Sequence, residues 1–159
     1  MPQRTVVESL VSQETNNTDR LSVAPDHLFV YGTLQFPEVL QALLGRTPTS
    51  KPASVPGWRA AALERRVYPG LVPAEGTANG LLLTDLAVGE WRTLDNFEDD
   101  HYDLRPLHLT DGGYGWAYVW PAAEVLPENW NEEDFASRHL AAYAARCAAL
   151  AARQGISAP

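Results

Sequence analysis

Five acidic residues crowd the segment Asp95–Asp103: Asp95, Glu98, Asp99, Asp100 and Asp103. Carboxylates at this density do one of two things. They form a solvated acidic loop, the ordinary meaning of a charge run, or one of them, withdrawn from water, becomes a general base. Glu98 differs from its neighbours because it directly follows Phe97, at the end of an amphipathic segment, with Tyr102 close behind. If Phe97 turns inward, Glu98 lies at the mouth of an apolar pocket. Desolvation and the neighbouring acids then raise its pKa toward a useful base range. The second place is Tyr31-Gly-Thr-Leu34. A glycine after a buried strand lets the backbone turn with amides unpaired, and the following helix N-terminus adds positive potential, so Gly32, Thr33 and Leu34 can hold a small carboxylate. The same pattern describes a tight strand-to-helix turn that binds nothing, and spacing by itself does not choose.

Other chemistries lack candidates. There is no G-x-x-x-x-G-K or G-x-G-x-x-G phosphate loop and no G-x-S-x-G serine. His27, His101, His108 and His139 show neither H-x-x-x-H nor H-E-x-x-H spacing, so no metal site is expected. A single cysteine, Cys147, excludes an intrachain disulfide and a Cys-rich metal site, and reads as a core residue. Acid–base chemistry by carboxylates, supported by backbone amides and needing no cofactor, remains.

Lys and Arg total 12 against 20 Asp and Glu, a net charge of −8. That balance argues against nucleic acid and against an anionic membrane surface, and a small polar substrate or a protein partner fits better. No apolar run approaches the roughly 20 residues that span a bilayer. Met1–Arg20 lacks the cationic start and apolar block of a secretory signal. The expectation is a cytoplasmic protein of one domain, with 159 residues and 45% hydrophobic composition. The oligomeric state is not legible.

The elements that must position Glu98 and Gly32 follow from pattern. Residues 1–26 are polar and aperiodic and read as a disordered tail, the alternative being a docked segment in which Val6, Val7, Leu10 and Val11 could make one turn of apolar helix face. Residues 27–155 read as the domain. Leu28–Tyr31 is a buried strand, and Pro37–Leu44 a helix with proline at its first position and Gly45 as its stop. Residues 47–56 read as a Pro/Ser/Thr loop, followed by strands at 58–63 and 66–72 with a bend at Tyr68-Pro-Gly70. Asn79-Gly80 signals a turn before a strand at 81–84. Val88, Trp91 and Leu94 define a helix near 87–97. Strands at 102–109 and 115–120 flank an Asp111-Gly112 hairpin. Asn131 caps a closing helix in which nine of the seventeen residues 136–152 are alanine and Leu140, Tyr143, Cys147 and Leu150 form one stripe, with Gly155 as its stop. Short strands dominate without regular helix alternation, which indicates an α+β fold with a small mixed sheet or barrel.

Taken together, the two places resemble the gamma-glutamylcyclotransferase-like superfamily, especially its small members, which include the plant avirulence-induced proteins. Phe29-Val-Tyr-Gly-Thr-Leu34 looks like the amino-terminal substrate loop, and Pro37–Leu40 with Gly45 like the helix after it. Tyr68-Pro-Gly-Leu-Val72 is similar to the central Y-P-G-L-V segment, and Gly80-Leu-Leu to the strand before the catalytic segment. Leu94-Asp-Asn-Phe-Glu98 with Tyr102 resembles the L-D-x-F-E…Y signature, and Trp130, Asp134-Phe135 and His139-Leu140 resemble the carboxyl-terminal helix of the plant-like branch. The resemblance covers about residues 28–150 and implies a small mixed β-barrel with flanking helices. It implies a small γ-glutamyl substrate whose α-amine attacks its own side-chain carbonyl, releasing an amine and 5-oxoproline. Glu98 would be the base, amides around Gly32, Thr33 and Leu34 would hold the substrate, and Tyr31 and Tyr102 would line the pocket. A non-catalytic binding or interaction module on the same fold is the alternative. Many members carry glycine where this chain has Asp99, and Tyr102-Asp-Leu-Arg105 is one residue longer than the usual Tyr-x-Arg. Asp99 and Asp100 are expected to repel an acidic leaving group such as that of glutathione and to favour neutral or cationic γ-glutamyl amines.

Overall fold

Leu28, Phe29 and Val30 are apolar in succession, and each is buried in strand β1 (Leu28–Val30). In the computed structural model, which describes residues 27–153, β1 is the middle of a five-stranded mixed sheet in the order β2-β3-β1-β5-β4. Successive strand side chains face opposite sides. Leu28 and Val30 accordingly join a core beneath the helices, while Phe29 and Tyr31 join a second core on the other face. Burial on both faces is why the run is unbroken rather than alternating.

Past β1, a 3-10 turn (Thr33–Gln35) leads into helix α1 (Pro37–Leu44). Gly45 ends that helix as expected, in the left-handed conformation at φ 78°, its N–H donating to Gln41 O at 2.9 Å. Val39, Leu40 and Leu43 are buried, on a helix that packs against the last one.

The middle of the chain departs from the sequence expectation. Residues 50–56 are not loop, and the 66–72 and 81–84 strands are not separate. Instead β2 (Ser50–Ala61) and β3 (Gly70–Leu83) form one long antiparallel hairpin joined by residues 62–69. Pro52 and Pro56 are accommodated because β2 is an edge strand, where a missing N–H costs no ladder bond. The register shifts between Pro56 and Trp58, where Gly57 at φ 87° and Gly76 at φ 101° make a bulge that bends the hairpin. Asn79-Gly80 is not a turn. It lies inside β3, where a Cβ on Gly80 would run into the Val30 carbonyl oxygen, so that glycine allows β1 to pass close by.

Helix α2 (Val88–Phe97) and the β4 (Asp103–His108)–β5 (Tyr114–Val119) hairpin match the expectation. The implied barrel is not closed. Edge strands β2 and β4 do not pair, although Thr110 N donates to Ser54 O at 2.9 Å just beyond β4. The fold is α+β: a bent sheet with four α-helices among the described residues.

Asn131 caps helix α3 (Glu132–Arg138) as expected, its Oδ1 accepting the Asp134 N–H at 2.8 Å. The closing helix, however, breaks at His139 (φ −124°, ψ −20°) before α4 (Leu140–Arg153). A straight helix would separate residues eight apart by roughly 12 Å along its axis. The break lets Phe135 and Tyr143 meet edge-on at 5.3 Å. The expected tail over 1–26 and the helix stop at Gly155 lie outside the described residues.

Candidate active site

Helix α2 carries Glu98 to its position. Glu90 accepts the Ala87 N–H at 3.0 Å and pairs with Arg46 at 2.7 Å, fixing the start of the helix. Trp91, Leu94 and Asp95 bury one face. Glu98 is the first residue beyond the last turn, with extended backbone (φ −71°, ψ 145°) and its N–H still bonded to Leu94 O at 3.1 Å. The chain then folds back through a turn made by Asp99, whose Oδ1 accepts the His101 N–H at 2.8 Å and whose carbonyl accepts the Tyr102 N–H at 3.1 Å.

Glu98 and Tyr102 line the same cavity as Tyr31, Gly32, Thr33 and Leu34, a space of about 340 Å³. The six residues singled out in the sequence, from two distant segments, are thus brought together. Phe97 does turn inward: it lines the cavity and meets Tyr143 edge-on at 6.1 Å. Gly32 approaches Pro69 so closely that a Cβ would lie 2.7 Å from the proline Cγ. The turn's own hydrogen bonds use the N–H groups of Gln35 and Phe36. Those of Thr33 and Leu34 come earlier, where a helical turn supplies no acceptor.

Part of the remaining wall is a set of hydroxyls, set among apolar side chains such as Phe29, Val30 and Leu150. Tyr31 OH donates to Tyr118 O at 2.6 Å, Tyr102 OH to Pro69 O at 2.6 Å, and Thr33 Oγ1 to Tyr143 OH at 3.4 Å. Burial, and then the Glu98 charge, push the Tyr31 hydroxyl pKa well up. Burial leads for Tyr102 and Tyr143 as well, with Glu98 again contributing. These groups therefore stay protonated and act as donors. The Cys147 thiol is pushed up to about 11 by burial, with Arg146 opposing the rise. It is an unreactive wall residue.

Two aspartates correct the reading of the acidic run as solvated neighbours. Asp95 is 1% exposed and accepts the Tyr118 hydroxyl at 2.7 Å. Asp99 accepts the Tyr68 hydroxyl at 2.7 Å and lies 3.5 Å from Arg66 Nε. Burial would raise its carboxyl, but the His101 N–H, Tyr68, the His101 ring and Arg66 together hold it below the ordinary value. Of the three aspartates nearest Glu98, only Asp100 is exposed.

Sequence reasoning missed Tyr68, Tyr143, Arg146 and Cys147 as cavity residues. The Tyr143–Cys147 stripe was visible as an apolar helix face, but nothing local distinguishes a face that covers core from one that covers a cavity. Among the described residues no cluster of three His, Cys, Asp or Glu is arranged to hold a metal, and no helix is long and apolar enough to cross a membrane.

Fold and site define a class: small α+β domains that set a half-buried glutamate among protonated hydroxyls, opposite a glycine turn. The chain belongs to the gamma-glutamyl cyclotransferase, AIG2-like family, whose model matches residues 28–137. AIG2-like protein C of Arabidopsis thaliana is 39% identical over 114 residues, covering 68% of this chain. The match spans 66% of that relative, a little under two thirds of its length. AIG2-like protein A of the same plant is 37% identical over 121 residues, covering 71% of this chain and 73% of that protein. The solution structure of At5g39720.1 from Arabidopsis thaliana, 28% identical, matches with a TM-score of 0.57 over 80% of this chain and 91% of that one.

Proposed function

We propose that the chain is a γ-glutamylcyclotransferase. The observation that carries this reading is the meeting of Glu98 with the Tyr31–Leu34 turn in one cavity. Its volume of about 340 Å³ lies at the small end of ligand pockets and suits a γ-glutamyl group.

The reaction asks little beyond positioning, because ring closure is unimolecular once the glutamyl chain is folded back on itself. The α-ammonium, with a pKa of about 8, is mostly protonated near neutrality and cannot attack. Glu98 takes its proton. The freed amine attacks the γ-carbonyl carbon, forming the ring N–C bond, and the oxyanion is held by the turn's N–H groups or the Tyr143 hydroxyl, which accepts from Thr33 and keeps its own proton to donate. As the bond to the leaving nitrogen breaks, Glu98 returns the proton to that nitrogen, and the second proton of the ring nitrogen is released to solvent. The products are 5-oxoproline and a free amine, and the base ends as it began.

The test is incubation of the protein with a panel of γ-glutamyl compounds, followed by mass spectrometry for 5-oxoproline. Release that requires Glu98 supports the reading. No release across the panel, with ligand binding retained, makes the cavity a binding module.

A further inference from the structure

Helix α4 presents Tyr143, Arg146, Cys147 and Leu150 to the cavity, a spacing that occupies one helical face. Arg146 is the sole cationic side chain among the described residues that line it. The residue is exposed at the rim, its guanidinium carbon 5.4 Å from the centre of the Tyr143 ring. Arg46, Arg66, Arg105 and Arg138 each have a carboxylate oxygen within 2.7 to 3.5 Å. Arg146 forms no such pair among the described residues and is held instead by the aromatic face. The anionic neighbours that the sequence set against an acidic leaving group do not play that part. Asp99 lines the cavity, but its carboxylate is engaged with Arg66, Tyr68 and His101, whereas Asp100 is exposed and is not among the lining residues.

Resting on the cyclotransferase reading above, we propose that Arg146 binds a carboxylate on the leaving amine, so that the preferred substrates are γ-glutamyl amino acids rather than γ-glutamyl amines. The glutamyl half must reach Glu98 and the buried Tyr31 and Tyr102 to cyclise. The leaving half must exit to solvent, so it lies toward the rim, where Arg146 stands. A guanidinium presents a fixed fork of donors that matches a carboxylate, and its stacking on Tyr143 reduces the freedom lost on binding. This reverses the preference for neutral or cationic amines expected from Asp99 and Asp100.

γ-Glutamyl-alanine and γ-glutamyl-ethylamine differ only by the carboxylate of the leaving amine. Calorimetric binding of both to Glu98→Gln protein, in which turnover is blocked, isolates that group. The dipeptide should bind roughly tenfold more tightly, the strength of one partly exposed charge-assisted contact. Adding Arg146→Ala should bring the ratio near one, and Arg146→Lys should restore part of it. Equal weakening of both ligands by Arg146→Ala would place the arginine on the glutamyl α-carboxylate and overturn the proposal, as would an unchanged ratio or no binding of either ligand. Release of 5-oxoproline by the unaltered protein is measured separately. Turnover with no Arg146-dependent preference sinks this inference alone. Arg146-dependent preference without turnover supports the carboxylate subsite and sinks the cyclotransferase reading.

Discussion

Tyr118 donates its hydroxyl to Asp95 Oδ1 at 2.7 Å, while its carbonyl oxygen accepts the Tyr31 hydroxyl at 2.6 Å. One residue of β5 thereby fastens both halves of the site, the helix that ends at Glu98 and the strand that ends at Gly32. Tyr118→Phe keeps the carbonyl contact and removes the donor from a buried acceptor, a loss of about 1–3 kcal/mol. Urea unfolding should report that loss. A change below about 0.5 kcal/mol, the range of ordinary surface substitutions, would mean that the bond positions nothing.

Glu98→Gln should abolish 5-oxoproline release while leaving stability unchanged. Loss of a general base costs about 10²–10⁴ in rate, or roughly 3–5 kcal/mol of barrier. Asp100→Asn, at an exposed position, should be close to neutral in both rate and stability. Asp95→Asn should lower the melting temperature through its Tyr118 contact. An active Glu98→Gln beside an inactive aspartate variant would move the base to another carboxylate.

Gly32 cannot be tested for binding without testing the fold. The motif alone predicts that Gly32→Val spares folding and removes ligand binding. A Cβ at this position would meet Pro69 Cγ at 2.7 Å and Cδ at 2.8 Å, and Pro69 is fully buried. Overpacking of this kind costs about 1–3 kcal/mol. Gly32→Ala should therefore lower unfolding stability by that amount, Gly32→Val by more, and Pro69→Ala on the Gly32→Ala background should recover part of it. A Gly32→Ala protein of unaltered stability would show that the turn yields freely.

Asp99 makes stability depend on acid pH. Its carboxyl lies below the ordinary value in the folded protein, despite burial, because the His101 N–H, Tyr68, the His101 ring and Arg66 favour the charged form. The unfolded chain then binds the proton first, so the stability Asp99 contributes is complete above its unfolded pKa and is lost as pH falls toward the folded one. Asp99→Asn should be less stable at pH 7 and should show a shallower loss of melting temperature between about pH 5 and 3. Scanning calorimetry across that range checks it, and parallel profiles for the two proteins would sink the assignment.

What the amino-acid sequence determined by itself is local. Proline at the start and glycine at the end bound α1, the spacing of Trp91 and Leu94 gives α2 its apolar face although Val88 is exposed, Asp111-Gly112 closes the β4–β5 hairpin, and Asn131 caps α3, because each depends on neighbours a few residues away. The residues of the candidate site were legible for the same reason: a glycine after a buried strand and a glutamate after an inward aromatic are short patterns. Tertiary structure decided what depends on partners distant in the chain. Pro52 and Pro56 lie in a strand because β2 has an open edge, and Asn79-Gly80 runs straight because β1 crosses there. Asp95 is buried because Tyr118 of β5 reaches it. The stripe of α4 faces a cavity because Glu98 and the Gly32 turn stand opposite, and only that arrangement puts Arg146 at the rim. Such contacts are made between segments whose separation along the chain carries no local signal, so they become visible only when the sheet has brought the segments together.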